Sequence, residues 1–326
     1  MRRREFIARL SSAAMAWPLA LHAQRRTTED ARIGVLLVIP LAGRPAKDAF
    51  VAGLQELGYR DGKNIFIEYR SADGDLDRLA PMASDLVSSR LDVIVASSTP
   101  AALAAKQATA TIPIVFVNVS DPVGIGLIAE YGQPGGNITG VSNIGIDLAA
   151  KRMQLLKEAV PSIRRVGVYV SEDPNVSKLQ PEIERAAKAL KIGTVAIEFK
   201  DRDGLGPAMA RAKSSKIDGL YVVESVSALN VRALLAEFEM RTGLPGVFPA
   251  SEYAEAGGML SYGANIDSNW RRVATFVDKI LKGKEPREIP AERASTFELV
   301  VNLRTARKLG VAVPPPVLQR ADRVIE

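Results

Sequence analysis

Hydroxyl and carboxylate side chains sit just past several short apolar runs of this 326-residue chain, where they are best placed to do chemistry. Ser97-Ser98-Thr99-Pro100 follows the run 92–96. There Ser98 or Thr99 suits a helix N-cap and Pro100 the first helical turn, so two hydroxyls and free backbone N–H groups gather at one helix start. Such a group caps its own helix or holds a carboxylate. Asn118-Val119-Ser120-Asp121-Pro122 follows the next run, and Asp121 can cap the following helix or accept from a ligand ammonium. Pro40-Leu41 follows the first run; Ser171-Glu172-Asp173-Pro174-Asn175, Glu224-Ser225 and Ser251-Glu252-Tyr253 follow later ones. The candidate ligand-binding residues are therefore Pro40, Leu41, Ser97, Ser98, Thr99, Asp121, Asn175, Glu224, Ser225, Glu252 and Tyr253. Each group has a local explanation; their recurrence at strand ends is what a cleft for a small solute requires.

What the chain lacks narrows the chemistry. Residues 1–23 read as an export leader: Arg2-Arg3-Arg4-Glu5-Phe6-Ile7, a small and apolar stretch over 10–21, then His22-Ala23-Gln24. The paired arginines indicate the twin-arginine route, with cleavage expected after Ala23 (Leu21 is bulkier than the usual residue there) and a periplasmic product. The chain's one histidine is His22 and it has no cysteine, so processing would leave neither imidazole nor thiol. A Ser-His-Asp triad, a Cys-His pair, a His/Cys zinc site, a disulfide and a lipid-anchoring cysteine are all excluded by inventory. Carboxylate or lysine chemistry is what remains for an enzyme. We expect no catalytic residues, no metal and no cofactor. Gly124, Gly126 and Ala129 match a dinucleotide fingerprint, but a Ser-Asp-Pro-Val loop separates them from their strand, and they follow the fourth strand instead of the first. Asn137-Ile138-Thr139 is a formal glycosylation sequon, without meaning if the twin-arginine leader marks a bacterial source.

The net charge of +6 falls to +3 once the leader takes four arginines and one glutamate with it. The remaining lysines and arginines are interspersed with acids, so no nucleic-acid footprint is expected. Past residue 23 no apolar run approaches the roughly 18 residues of a membrane span, so no membrane insertion of the processed chain is expected. About 300 remaining residues exceed a single core and predict two domains.

Positioning elements alternate along the chain. Ile33–Ile39 is a continuous apolar run, as for a strand buried on both faces. Phe50, Gly53, Leu54 and Leu57 then make a helix stripe, and strands follow over 64–69, 92–96, 112–117 and 138–141 with helices between. The alternation restarts with the stripe Ala149, Met153, Leu156 and Val160, then strands over 165–170, 194–199 and 219–223. This pattern predicts an α/β chain of two doubly wound parallel-sheet lobes. The segment 258–302 fits neither series simply; a return to the first lobe and a last crossing to the second would explain it.

Several stretches resemble a family of bacterial ABC-transporter substrate-binding proteins with the type I periplasmic-binding fold, of the tryptophan/tyrosine type. They are the Arg-Arg-Arg-Glu-Phe-Ile start, Gly53-Leu54-Gln55-Glu56-Leu57-Gly58-Tyr59, Ile112-Pro113-Ile114-Val115-Phe116, Asp121-Pro122-Val123, Pro134-Gly135-Gly136-Asn137-Ile138-Thr139-Gly140, 256–263 and Phe297-Glu298-Leu299-Val300-Val301-Asn302-Leu303. The resemblance implies two lobes joined by three crossovers, with lobe one at 24–144 plus 258–286 and lobe two at 145–257 plus 287–326. It also implies a hinge-closing cleft, a small amino-acid-like solute, delivery by a monomer to an ABC permease in the inner membrane, and no catalysis. Ser98, Thr99 and Asp121 would face the solute from lobe one; Asn175, Glu224 and Glu252 would face it from lobe two. The chain departs from the family at 171–175, 224–227 and 251–253, so the second-lobe half of the pocket is its own. A sugar is disfavoured because aromatic platforms are few and Trp270 reads as part of a helix. Two other outputs share this framework: a ligand-sensing module for a membrane receptor, and a carboxylate-dependent hydrolase.

Overall fold

A computed structural model describes residues 31–40, 45–145, 147–170 and 176–326. The leader, Leu41 and Asn175 lie outside the described residues. In the first lobe the apolar runs become strands β1 (Ala31–Leu37), β2 (Ile65–Ser71), β3 (Val93–Ser97), β4 (Ile114–Val119) and β5 (Ile138–Ser142). With the short β11 (Glu292–Arg293) they form one sheet in the order β11-β5-β4-β3-β1-β2, parallel throughout. Helices cover both faces of this sheet, which is why its central strands are almost wholly apolar.

On one face α1 (Pro45–Glu56) lies against α10 (Ile266–Leu281), and Phe50 meets Trp270 edge-on at 5.6 Å. The two helices approach closely because Gly53 has no side chain: a Cβ there would stand 2.8 Å from the Arg271 carbonyl oxygen. On the other face α2 (Leu79–Ser88) and α3 (Thr99–Ala108) bury Leu79, Ala83, Leu86, Ala101 and Ala105.

The second lobe repeats the plan with β6 (Arg165–Tyr169), β7 (Gly193–Ile197), β8 (Gly219–Val222), β9 (Gly246–Phe248), β10 (Leu260–Ala264), β12 (Phe297–Asn302) and β13 (Arg323–Ile325). Their order is β13-β12-β10-β9-β8-β6-β7, and only β10 and β12 run antiparallel. The molecule therefore has the α/β architecture of two parallel-dominated sheets, and the chain crosses between them after β5, after β10 and after β11.

The expected lobe boundaries require correction. Residues 258–264 were assigned to the first lobe, yet β10 pairs with β9 and β12 in the second sheet. Only α10, the 3₁₀ turn Pro286–Glu288 and β11 return to the first lobe, and the last crossing falls after Arg293, not at 287. An apolar strand suits either sheet equally, so its own sequence carries no address. Helix α10 also begins before its apolar stripe at 273–281, because the Asn265 side chain caps it by accepting from the Ser268 N–H at 2.8 Å.

Helix α8 (Arg232–Thr242) buries a carboxylate in the second-lobe core. Glu239 accepts from the N–H groups of Gly246 at 2.7 Å and Met259 at 3.0 Å, tying the entries of β9 and β10 together. Burial pushes its carboxyl well above the ordinary value of 4.5, although the two backbone donors pull it down. The stability linked to this group is thus fully present below 4.5 and declines as pH rises above it. Glu239→Gln should remove that slope, so that in urea unfolding the variant gains on the parent protein as pH is raised toward neutrality. Glu239→Ala leaves two buried amides unpaired and should cost about 2–6 kcal/mol.

Candidate functional site

The carboxyl ends of both sheets converge on one cavity of about 130 Å³. On the same measure a single water needs roughly 10–15 Å³, so there is room for a solute on the order of ten heavy atoms. Val38 and Ile39 enter it past β1, Ser97 to Pro100 past β3, Asn118, Ser120 and Asp121 past β4, and Asn143 past β5. From the second lobe come Glu224, Ser225 and Val226 past β8, Pro249 and Ala250 past β9, and Glu252 and Tyr253 from α9 (Ser251–Glu255). Ile39, Ile125, Leu229, Ile266 and Trp270 supply apolar wall.

On the first lobe, Ser98 precedes α3 in the capping position, but its side chain does not cap the helix. Its N–H donates to the Val117 carbonyl oxygen at 2.8 Å and its carbonyl accepts from Ala102 N–H at 3.0 Å, while its buried Oγ has no hydrogen-bond partner. Its backbone sits at φ +78°, ψ 165°, a region that costs a non-glycine residue about 1–3 kcal/mol. Asn118, at the end of the adjacent strand, also has positive φ (+59°), and its Oδ1 accepts from the Asn269 amide at 2.8 Å. Two strained residues at neighbouring strand ends aim this wall. Asp121 caps the turn after β4 through Gly124 N–H at 2.8 Å and still lines the cavity; any Cβ on Gly124 would overlap its carboxylate.

On the second lobe, the Ser225 Oγ caps α7 (Val226–Asn230) by accepting from Ala228 N–H at 3.0 Å. Glu224 accepts from the Arg152 guanidinium at 2.9 Å through one oxygen and from the Asn143 side-chain amide through the other. Burial opposes the charge on Arg152, but Glu224 and Tyr221 more than offset it and hold the guanidinium above its ordinary value. Burial also pushes the Glu224 carboxyl up; Arg152 pulls it back, and its side chain keeps 19% exposure, unlike the 2% of Arg152. Tyr253 is buried and stacked on Phe248, with ring centroids 5.6 Å apart. Burial, then the charges of Glu224 and Glu252, push its phenol well above the ordinary value, so it stays neutral.

Among the described residues the lining therefore holds three carboxylates, Asp121, Glu224 and Glu252, and no lysine or arginine. Backbone and hydroxyl donors at the α3 start are the complement for a negative group. Among the described residues no cluster of His, Cys, Asp or Glu is arranged to hold a metal ion.

Of the residues expected from sequence, Ser97, Ser98, Thr99, Asp121, Glu224, Ser225, Glu252 and Tyr253 are brought together around the cavity. Pro40 is exposed and does not line it: β1 ends at Leu37, and Val38 and Ile39 are the residues after it that reach the cavity. Leu41 and Asn175 lie outside the described residues. Sequence reasoning missed Asn118, Asn143 and Arg152. Asn143 follows the run 138–141 and could have been found by the strand-end rule applied elsewhere. Arg152 had a subtler signal: it falls three residues after Ala149, on the apolar face of a helix. Trp270 is helical, as expected, and also forms cavity wall.

A model of the family of ABC transporter substrate binding proteins matches residues 33–325. A tyrosine-binding protein of Clostridioides difficile (strain R20291) is 29% identical over 268 residues, covering 82% of this chain and 76% of that one. The crystal structure of an ABC domain from Streptococcus pneumonia in complex with L-Trp is 26% identical, with a TM-score of 0.81 over 91% of this chain and 100% of that chain. A ligand-free, open structure of a Clostridium difficile substrate binding protein with adhesive properties is 25% identical, with a TM-score of 0.68 over 91% of this chain and 99% of that chain.

The strain at Ser98 reverses an ordinary rule. At a relaxed position glycine is less stable than alanine by about 0.5–1 kcal/mol. Here Ser98→Gly should be more stable than Ser98→Ala by about 1 kcal/mol in urea unfolding, because only glycine adopts this backbone freely.

Proposed function

This chain belongs to the family of ABC transporter substrate binding proteins, and on that premise we propose that it captures a small amino-acid-like solute between its lobes, closes on it, and delivers it to an inner-membrane permease. The observation that carries the reading is the cavity itself, walled from both sheets, with hydroxyl and backbone donors at the start of α3 and with the carboxylates of Asp121 on the first lobe and Glu224 and Glu252 on the second. The solute carboxylate would meet Ser98, Thr99 and the N–H groups opening α3; the ammonium would meet Asp121, Glu224 or Glu252; the apolar walls would take the side chain. Pro40, which is exposed and outside the lining, has no part in this assignment.

Contacts made by both lobes exist only in the closed form, so the solute shifts the hinge equilibrium by its differential affinity. Two similarities support this. The relatives named for tyrosine and bound to L-Trp take amino acids. At nearly equal identity, the chain overlays the L-Trp complex better than the ligand-free, open structure, with TM-scores of 0.81 and 0.68. We read the output as binding without turnover, in keeping with a family of substrate binding proteins. Residues 1–23 would direct export by the twin-arginine route and be removed after Ala23, leaving a periplasmic monomer. No helix among the described residues is long and apolar enough to cross a membrane.

A thermal-shift panel of L-amino acids on the protein lacking residues 1–23 tests the proposal. A solute at a hundred times its dissociation constant should stabilise by about 2.7 kcal/mol. Glu252→Gln should weaken binding of the best solute roughly tenfold or more by titration calorimetry. Absence of any shift across the panel, or conversion of the solute during incubation, would overturn the reading.

A further inference from the structure

One charged group lies behind the cavity wall without facing the cavity itself. Arg152 lies in α4 (Ala149–Ala159), the first helix of the second lobe, and its side chain is 2% exposed. Its Nη2 donates to Glu224 Oε2 at 2.9 Å, its Nε to the Tyr262 carbonyl oxygen at 2.7 Å and its Nη1 to the Gly145 carbonyl oxygen at 3.4 Å. Gly145 belongs to the first crossover, and Tyr262 lies in β10 just ahead of the second. Glu224 also accepts from Asn143, whose side-chain oxygen in turn accepts from Gly145 N–H at 3.4 Å. Gly145 fits so tightly that a Cβ would overlap Glu224 and stand 3.2 Å from the Ser120 Oγ of the opposite lobe.

We propose that Arg152 is a positioning residue of the binding site: it holds Glu224 in the cavity wall and ties that carboxylate to the first crossover and to the strand that leads into the second, so that a solute touching Glu224 acts on the hinge. The solute half of this inference rests on the binding function proposed above. Fold stability alone does not call for the pair, since well-packed apolar residues generally serve as well as a buried ion pair. The asymmetry of exposure carries the argument further. Glu224 is open to the cavity at 19% while its partner is sealed at 2%, so a cation in the cavity reaches the carboxylate and competes for it. Any change in that pairing moves the fork that also grips the Gly145 and Tyr262 carbonyl groups. A lysine could keep the charge there but not three directed donors.

Two variants test this. Arg152→Lys keeps the charge and loses the fork. The double variant Arg152→Met with Glu224→Met removes both charges together and so avoids stranding either one. In solute-free protein, hydrogen exchange at the amides of Gly145 and Asn265 should quicken by roughly tenfold in both variants, while the β3 amides stay protected. With L-tryptophan and L-tyrosine as probes, the double variant should bind roughly ten- to hundredfold more weakly than the parent protein in titration calorimetry. Unchanged exchange at the crossovers, or exchange raised equally throughout the second lobe, overturns the hinge role. Altered exchange with unaltered probe binding overturns the link to the site. If the parent protein binds no amino acid, the binding function itself fails, and the exchange result still decides whether Arg152 controls the crossovers.

Discussion

Three segments of chain run side by side between the sheets, and the hydrogen bonds among them govern everything the cavity can do. Ala294 N–H donates to the Ser142 carbonyl oxygen at 2.7 Å, joining the third crossing to the first. Asn265 N–H donates to the Thr296 carbonyl oxygen at 2.9 Å, joining the second to the third. Arg293 pairs with Asp147 across the same region. In the proposed reading these joined segments are the place where the two lobes would hinge. Because the cavity walls come from both lobes, a bend at the crossovers is a change in cavity shape.

The lobes on either side are each closely packed. Parallel sheets with helices on both faces bury Val93, Val95, Val115 and Phe116 completely, and α1 and α10 approach closely through Gly53. Close-packed interiors of this kind transmit displacement instead of absorbing it. The first lobe even includes a helix, α10, delivered from beyond the second sheet, so neither lobe is a continuous stretch of chain. Two of the non-glycine residues with positive φ, Ser98 and Asn118, sit at the cavity edge, where a rigid frame can hold residues in backbone conformations they would not adopt alone.

Charge is distributed with similar economy. The carboxylates facing the cavity differ in circumstance: Asp121 is folded onto a turn amide, and Glu224 is answered by Arg152 and Asn143. A strand-end loop can thus serve its own local structure and a ligand at once. Capping and binding, which look like competing explanations for Asp121 in the sequence, are compatible in the fold.

Much of this was legible in the residues alone. Continuous apolar runs such as Ile33–Ile39 and 112–117 determined that strands would be buried on both faces, hence parallel sheets between helices, because a period-less apolar strand has no face to offer water. The strand-end rule then determined which polar residues would gather, and it located Ser98, Thr99, Glu224 and Glu252. The lack of cysteine removed thiol chemistry, and the one histidine, His22, falls in the stretch that the sequence leads one to expect as a leader. Only the tertiary structure decided which sheet β10 joins, since strand pairing depends on backbone hydrogen bonds that every apolar sequence can make. Only it revealed Arg152, whose helix is local but whose partners lie at positions 145, 224 and 262. Composition and periodicity report each residue's own environment, whereas a buried charge finds its partner through the fold, at separations in sequence that no local pattern encodes.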